Sequence, residues 1–458
     1  MFNRTDILSG RQVLVIGFGR QGQSLARWLP TIGARVVVND QRPVDDLDVD
    51  PREFPNVRFV LGSHPVDLLD DTQLICVSGG VPLSMPLIQE AVQRQIAVTN
   101  DAQLFLERCP APIVGITGSA GKTTTTTLVG EMCRLAGQTT WVGGNIGNVL
   151  LDVMMGIQPD HRVIMELSSF QLELVFTSPH IGAVLNITPN HLDRHGTMEN
   201  YMRAKASIVG HQNADDFAVL GRDDMGSRAL QSIVRGQQVW FSSQEIVTDG
   251  AFMVGNRLVV AGAATPDDTP HVICEADNIP LRGRHNVSNV LAACAIAGVA
   301  GVPPEVMTQA IRTFKGVPHR LETIRELNGV TYVNDSIATA PDRVVAALNS
   351  FEEPLILLAG GADKNLSWGD MVALALRKAR HIIAFGRAGD LVVEAAKNFT
   401  GGASAVMRVD TLSEAVARAA EIAQEGDVVL LSPGGTSYDA YRDFAARGEH
   451  FRQLVMAL

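Results

Sequence analysis

The sequence predicts an α/β protein with mainly parallel sheets, arranged as three domains. Three observations carry this. Apolar β-branched runs alternate with helix-period stretches along the whole chain, the pattern of strands joined by helical crossovers. Two glycine-rich turns each follow a strand-like run and open a helix-like one. A chain of 458 residues, 46% hydrophobic and 19% charged, is too long for one core and ordinary for a globular protein.

The first domain, over residues 1–109, opens with the strand Val13–Ile16. The turn Gly17-Phe18-Gly19-Arg20-Gln21-Gly22 follows, then a helix from Ser24 to Leu29 and a strand Arg35–Val38 ending at Asn39-Asp40. GxGxxG after a strand, with an acid about twenty positions on, is the spacing of a Rossmann-like nucleotide site, without saying which nucleotide. Prolines at 110 and 112 break any helix and mark the linker.

The second domain, over 110–316, begins with the strand Ile113-Val114 and the loop Gly115-Ile116-Thr117-Gly118-Ser119-Ala120-Gly121-Lys122-Thr123-Thr124. This is a variant P-loop, TGxxGKT, with Ile116 where the strict spacing has glycine. Gly118 and Gly121 let backbone amides approach phosphates, the helix N-terminus adds its dipole, and Lys122 reaches the β/γ-phosphates. The hydroxyl of Thr123 or Thr124 can hold Mg²⁺. Strands over 163–166 and 183–187, a helix from Met198 to Ile208, β-rich runs at 239–241 and 258–260, and a helix from Asn286 to Val299 complete it. The third domain, over 317–458, has strands at 330–333, 355–358, 382–385 and 428–431 with helical patterns between them, a smaller dinucleotide-fold-like unit.

Composition excludes some roles. A formal charge of −11 argues against nucleic acid as a partner. The five cysteines form no CxxC, and several lie in apolar runs, so buried free thiols are expected rather than zinc. MFNRTDILSG has no signal-like apolar core, and no run of about eighteen apolar residues occurs, so a cytoplasmic protein without a membrane partner is expected.

Glu166 ends a buried-looking strand in the domain of the P-loop, a suitable place for a Mg²⁺ ligand. His191 follows the next strand and can ligate a metal through a ring nitrogen. Lys205, read alone, is a solvated helix lysine. Asp335 and Ser336 end a third-domain strand, Lys364 follows a glycine pair and can hold an anion, and Ser432–Asp439 repeats strand, small residues and helix in a form that suits a carboxylate or phosphate.

These motifs, in this order, resemble the Mur ligase family of peptidoglycan synthesis across essentially the whole chain. The carriers are GITGSAGKTTTTTLVGEM (115–132), GGNIG (143–147), ELSSFQLE (166–173), ITPNHLDRH (187–195), AK (204–205), GRHNVSN (283–289), GVPHRLE (316–322), NDSIAT (334–339) and SPGGTSYDAYRDFAARGEHF (432–451). The resemblance is strongest to the glutamate-adding branch. It implies an ATP-dependent amide ligase; with no long apolar surface helix evident in the sequence, a monomer is expected. ATP phosphorylates the alanyl carboxylate of UDP-N-acetylmuramoyl-L-alanine, and the amine of glutamate, D-glutamate foremost, attacks the acyl phosphate. An L-glutamate-adding relative, or another Mur or folylpolyglutamate-type ligase, is the alternative.

By the same resemblance Lys122 and Thr123 serve the phosphates, while Thr123, Glu166, His191 and a carbamylated Lys205 hold two Mg²⁺ ions. Asn145 meets the acyl-phosphate region. Asn286, Asn289 and Arg320 contact the adenine nucleotide, and Asp335 its ribose or phosphates. Arg20 and Gln21 lie by the diphosphate of UDP, and Asp40, Gln41 and Arg42 by the uridine, with Ser78 helping to hold the UDP portion. Thr339, Lys364, Ser437 and Phe444 match the glutamate site. Two departures bear on that site: Ile337 stands where lysine is common, and Gly434-Gly435-Thr436 where alanine or cysteine is more usual.

Overall fold

The computed structural model describes residues 6–47, 49–281, 283–364 and 366–458. Residues 1–5 of the N-terminal segment MFNRTDILSG, read above as lacking a signal-like core, lie outside them. Five strands, β1 (Gln12–Ile16), β2 (Arg35–Asp40), β3 (Val57–Leu61), β4 (Leu74–Val77) and β5 (Ala97–Thr99), form an all-parallel sheet in the order β3-β2-β1-β4-β5. The order reverses at β1, so a crevice opens at the carboxyl ends of β1 and β4, where ligands collect in such sheets. Val13 to Ile16 are fully buried, which is why they read as an unbroken apolar run.

The second sheet has nine strands: β6 (Ile113–Thr117), β7 (Thr140–Gly144), β8 (Arg162–Glu166), β9 (Ile181–Val184), β10 (Phe217–Gly221), β11 (Gln237–Ser242), β12 (Gly250–Val254), β13 (Arg257–Ala261) and β14 (His271–Glu275). Their order is β14-β13-β12-β11-β10-β9-β6-β8-β7. Pairing is parallel from β7 to β12 and antiparallel from β12 to β14. The strand expected over 183–187 is β9, which starts two residues earlier and ends at Val184. Beyond it the chain turns to support the glycine loop.

The third sheet holds β15 (Glu322–Leu327), β16 (Val330–Asn334), β17 (Leu355–Gly360), β18 (Ala379–Phe385), β19 (Val406–Arg408) and β20 (Val428–Gly434), in the order β15-β16-β20-β17-β18-β19. Only the β15–β16 hairpin is antiparallel. β20 lies between β16 and β17, a position buried along its whole length.

By contact the chain divides into two units, residues 1–279 with 287–313, and residues 280–286 with 314–458. Within the first unit, the first two sheets share one hydrophobic cluster. Trp28 and Leu29, from the helix Arg20–Thr31, belong to it together with Leu150, Leu151 and Met154, which follow β7. Arg27 clamps Asp152 with two hydrogen bonds of 3.0 Å at the same junction. Among the described residues, no helix is long and apolar enough to cross a membrane.

Candidate active site

The first sheet gathers its expected residues at the carboxyl ends of β1, β2 and β4. Gly22 is compulsory there, because a Cβ on it would lie 1.9 Å from the Gly17 carbonyl oxygen. A Cβ on Gly17, where φ is +89°, would lie 2.7 Å from Val81 Cγ2 and 3.1 Å from Ser78 Cβ, so the glycine turn packs directly on the Ser78 loop. Arg20 and Gln21 begin the helix, Arg20 exposed and Gln21 half-buried. The Asp40 carboxylate accepts from the Phe18 amide (2.7 Å), the Arg42 amide (2.9 Å) and the Arg42 guanidinium (3.1 Å). Burial alone would raise this carboxyl; the hydrogen bonds from Arg42 and then Phe18 outweigh it and lower it. Asp40 therefore ties the glycine turn to the end of β2, with Gln41 exposed beside it. Ser78 is buried and shares a crevice with Asn100, Asp101, Phe170, Gln171 and Arg194. Arg194 lies over the Phe170 ring, 4.2 Å from its centroid, and donates to the Val81 carbonyl at 2.7 Å.

In the second sheet, β6 runs into the loop at Gly118 and the helix Lys122–Leu135. Gly121 takes φ +84°, and a Cβ there would lie 2.2 Å from Asn289 Oδ1, so the loop and Asn289 are in close approach. Asn286 and Asn289 are three apart on the helix Arg284–Val299. The segment after β9 holds the loop from outside. Asn186 accepts from the Ser119 amide through its carbonyl (2.9 Å) and from the Ala120 amide through its side chain (2.8 Å). Ser119 Oγ lies 2.9 Å from the Tyr201 hydroxyl. Lys122 Nζ folds back on the loop, donating to the Gly118 carbonyl at 2.8 Å. Thr123 is half-buried and Thr124 buried in the first turn of the helix.

Glu166, the last residue of β8, is 1% exposed. Asn145 Nδ2 donates to its Oε1 at 2.8 Å, and the Asn145 amide to its carbonyl at 2.9 Å. Its other oxygen, Oε2, is buried with no hydrogen-bond partner. The helix signal at this place belongs to Ser168, which makes a capping box with Gln171 and leaves Glu166 to the site. Lys205, on the helix Met198–Gly210, is also 1% exposed and donates to Thr117 Oγ1 (3.2 Å) and the Gly118 carbonyl (3.0 Å). Burial first, and then the Lys122 charge, push its ammonium well below the usual lysine range, against the pull of Glu166. The reading of Lys205 as an exposed helix lysine is thus corrected, since its helix face packs on β6 and the loop. His191 has φ +53° and caps the short helix Leu192–His195, its ring 5.1 Å from that of Phe170. Beside it His195 stacks on Phe170 and bonds Ser169 Oγ at 2.9 Å.

The structure thus brings Lys122 and Lys205 to the Gly118 carbonyl, Asn145 to Glu166, the Glu166 charge within reach of Lys205, and Asn289 to Gly121. Among the described residues no group of three or more His, Cys, Asp or Glu is gathered as a metal centre. The donor set nonetheless fits a divalent cation. A buried carboxylate oxygen without a partner is costly unless a cation or proton meets it. Tyr201, Asn186 and Thr117 were not singled out from the sequence; Tyr201 and Lys205 are four apart on one helix face, a spacing that could have pointed to the first.

In the second contact unit, Asp335 follows β16 and is buried. Its carboxylate accepts from Ser432 Oγ (2.8 Å) and the Leu321 amide (3.3 Å). Burial pushes its carboxyl up to about 7, with Ser432, Leu321 and the charges of Arg320 and Arg343 opposing. Arg320 lies in a turn where His319 and Leu321 both have positive φ, +63° and +43°. Lys364, exposed, approaches Thr339 Oγ1 at 3.5 Å. Ser437 is buried after β20 and Phe444 is 36% exposed at the start of the helix Phe444–Ala457. Ile337 is half-buried, its amide donating to the His319 carbonyl at 3.1 Å.

A parallel sheet that feeds a glycine loop, a lysine and a helix N-terminus is the architecture of a P-loop protein. Three family profiles match along the chain: Mur ligase MurD-like, N-terminal domain, over residues 11–100; Mur ligase middle domain over 116–297; and Mur ligase, glutamate ligase domain, over 319–435. The chain is 40% identical over 451 residues to a protein of Pelotomaculum thermopropionicum named UDP-N-acetylmuramoylalanine–D-glutamate ligase, with 98% of both chains covered. It is 41% identical to the Symbiobacterium thermophilum protein of the same name, with 97% of each covered. The chain belongs to the Mur ligase family. Crystal structures share its three-domain fold at low identity. They include the UDP-N-acetylmuramate-alanine ligase MurC of Thermotoga maritima (18% identical, TM-score 0.59, 98% and 99% covered). The MurF ligase of the same organism, in complex with ADP, is another (17%, TM-score 0.55, 99% and 97% covered).

Proposed function

We propose that this protein joins D-glutamate to UDP-N-acetylmuramoyl-L-alanine, driven by ATP, in the cytoplasmic synthesis of peptidoglycan precursors. The observation that carries the reading is identity near 40% over almost the full length of relatives bearing that activity in their names. In the reaction the alanyl carboxylate attacks the γ-phosphorus and ADP leaves. The amine of glutamate then attacks the acyl carbon, phosphate leaves, and the nitrogen loses a proton. Three anions must be held together, so positioning and charge neutralisation do most of the work.

The roles follow from the chemistry of each group. Lys122 exchanges its loop carbonyls for phosphate oxygens, and the amides of Gly118 and Gly121 with Thr123 and Thr124 line the same anion. Asn289, with Asn286, Arg320 and Asp335, serves the nucleotide. Once deprotonated, the buried amine at Lys205 can add carbon dioxide and lose a proton, becoming a carbamate. Its burial and lowered basicity support this. Glu166, His191, Thr123 and the Lys205 carbamate would hold Mg²⁺, two ions in all, which neutralise phosphate charge when bound. Asn145 orients Glu166 and faces the acyl group. Arg20, Gln21, Asp40, Gln41, Arg42 and Ser78 bind the UDP portion, and Thr339, Lys364, Ser437 and Phe444 the amino acid. The working domains are residues 1–109, 110–316 and 317–458, acting as a monomer.

Ile337 favours a second reading in which the amino acid is L-glutamate, because it supplies no charge where a lysine would. The test is phosphate release from ATP and Mg²⁺ with UDP-N-acetylmuramoyl-L-alanine, giving D-glutamate and L-glutamate in parallel. Turnover with D-glutamate alone upholds the proposal. Turnover with L-glutamate alone replaces it with the second reading, and release with neither overturns both.

A further inference from the structure

Arg447 stands at the spacing of Phe451 and Val455 on the helix Phe444–Ala457 and, like them, has no exposed surface. A guanidinium buried to that degree normally meets a carboxylate. This one meets hydroxyl and carbonyl oxygens instead. Nε donates to Ser336 Oγ (3.0 Å), Nη1 to the carbonyls of Gly435 (3.1 Å) and Thr436 (3.0 Å), and Nη2 to those of Ser336 (2.9 Å) and Gly435 (3.2 Å). Asp439, whose charge reaches it, accepts from the Arg387 amide at 3.3 Å. Burial pulls the guanidinium down to about 10, which leaves it charged at neutral pH. Its hydrogen bonds all go to uncharged oxygens, and Asp439 acts on its charge without a direct ion pair.

The acceptors are informative. Ser336 precedes Ile337, and Gly435 and Thr436 precede Ser437, so Arg447 ties together the two segments that flank the amino-acid pocket proposed above. Carbonyl and amide of a trans peptide point in opposite directions. With the Thr436 carbonyl turned to Arg447, the Ser437 amide is turned away from it.

We propose that Arg447 is a positioning residue through which the pocket selects an acidic amino acid, its buried charge, bonded to no carboxylate, behind Ser336 and Thr436 favouring a side-chain carboxylate over the neutral amide. This rests on the proposed function. The other cations close to the pocket, Lys364 and Arg343, differ from it in being exposed.

The test compares kcat/KM for glutamate and glutamine in wild type, Arg447→Met and Arg447→Lys, on the full chain with saturating ATP and UDP-sugar. In Arg447→Met the glutamate-to-glutamine ratio should fall at least about tenfold, mainly through the glutamate KM, with the KM for ATP changed by less than about twofold. Arg447→Lys keeps the charge but not the fork, and should hold the ratio while lowering turnover with both amino acids. An unchanged ratio in Arg447→Met overturns the proposal, as does a lysine variant indistinguishable from methionine. Should Arg447→Met fail to fold, the wild-type ratio decides. A buried charge is weakly screened, so the ratio should persist from about 0.05 to 0.5 M salt. Its collapse would hand the selection to exposed Lys364. A wild type that uses neither amino acid refutes the proposed function itself.

Discussion

Lys122 and Lys205 donate to one acceptor, the Gly118 carbonyl oxygen, at 2.8 and 3.0 Å. Two ammonium groups on one oxygen repel each other, and the more buried of the two gives up its proton more readily. The loop thus holds two amines on one oxygen, the buried one shifted toward neutrality.

Lys122→Ala should lower phosphate release by at least about a hundredfold, since a preorganised cation at developing phosphate charge is lost. In the apo protein the Lys122 ammonium donates to the Gly118 and Ser119 carbonyls of its own loop, and thermal melting of the variant should stay within a few degrees of wild type. Wild-type turnover in this variant would refute the role given to Lys122.

Lys205→Ala should be inactive and partly rescued by formate or acetate, which can stand in for a carbamate. Lys205→Arg should be inactive without rescue, as guanidinium stays charged and cannot take up carbon dioxide. Equal behaviour of the two variants in a rescue titration would rule out carbamylation.

Gly22→Ala places a methyl 1.9 Å from the Gly17 oxygen and 2.9 Å from its carbon, both backbone atoms that cannot step aside cheaply. The expected cost is about 3 kcal/mol or more, in the range of overpacking plus turn distortion. Denaturant unfolding reads it, and a shift below about 1 kcal/mol would show the turn to be plastic.

Asp101 is fully buried, and burial lifts its carboxyl to about 6 against the hydrogen bond from Gln171. The folded state therefore holds this proton more tightly than the unfolded state does. Between the ordinary carboxyl range and pH 6 the native protein binds more protons, so stability falls as pH rises. Wild type should gain on the order of 3 kcal/mol relative to Asp101→Asn as pH drops from about 7 to about 4. Parallel unfolding curves for the two proteins across that window would show that Asp101 does not carry the effect.

What was legible in the sequence was what the local chain encodes. Val13–Ile16 and Val428–Leu431 are buried on both faces, so continuous apolar runs gave away their strands. The glycine loop was legible because glycine, lysine and helix start are adjacent. Short half-exposed strands such as β3 and β5 carry no comparable pattern and were not read. Lys205 was the hardest residue to judge. Its environment is made by Thr117 and Gly118, more than eighty positions away, and nothing in its own helix announces a buried amine. Arg447 shows the same limit on a hydrophobic stripe, where its spacing with Phe451 and Val455 says buried and its charge says exposed. Asp40 illustrates a subtler one: spacing found the acid at the end of β2, but not that Arg42 and Phe18 engage it.

The cluster that joins Trp28 and Leu29 to Leu150 and Met154 has a practical meaning for anyone dividing this chain. A fragment cut at the proline-rich linker near Cys109 would leave both pieces with raw apolar faces and would strand Arg27 without Asp152. Such a piece should be recovered in aggregates. The first sheet, though it looks like a portable nucleotide-binding cassette, is welded to its neighbour. A truncation that respects the core has to travel with the chain through Thr313, taking both sheets as one heritable part.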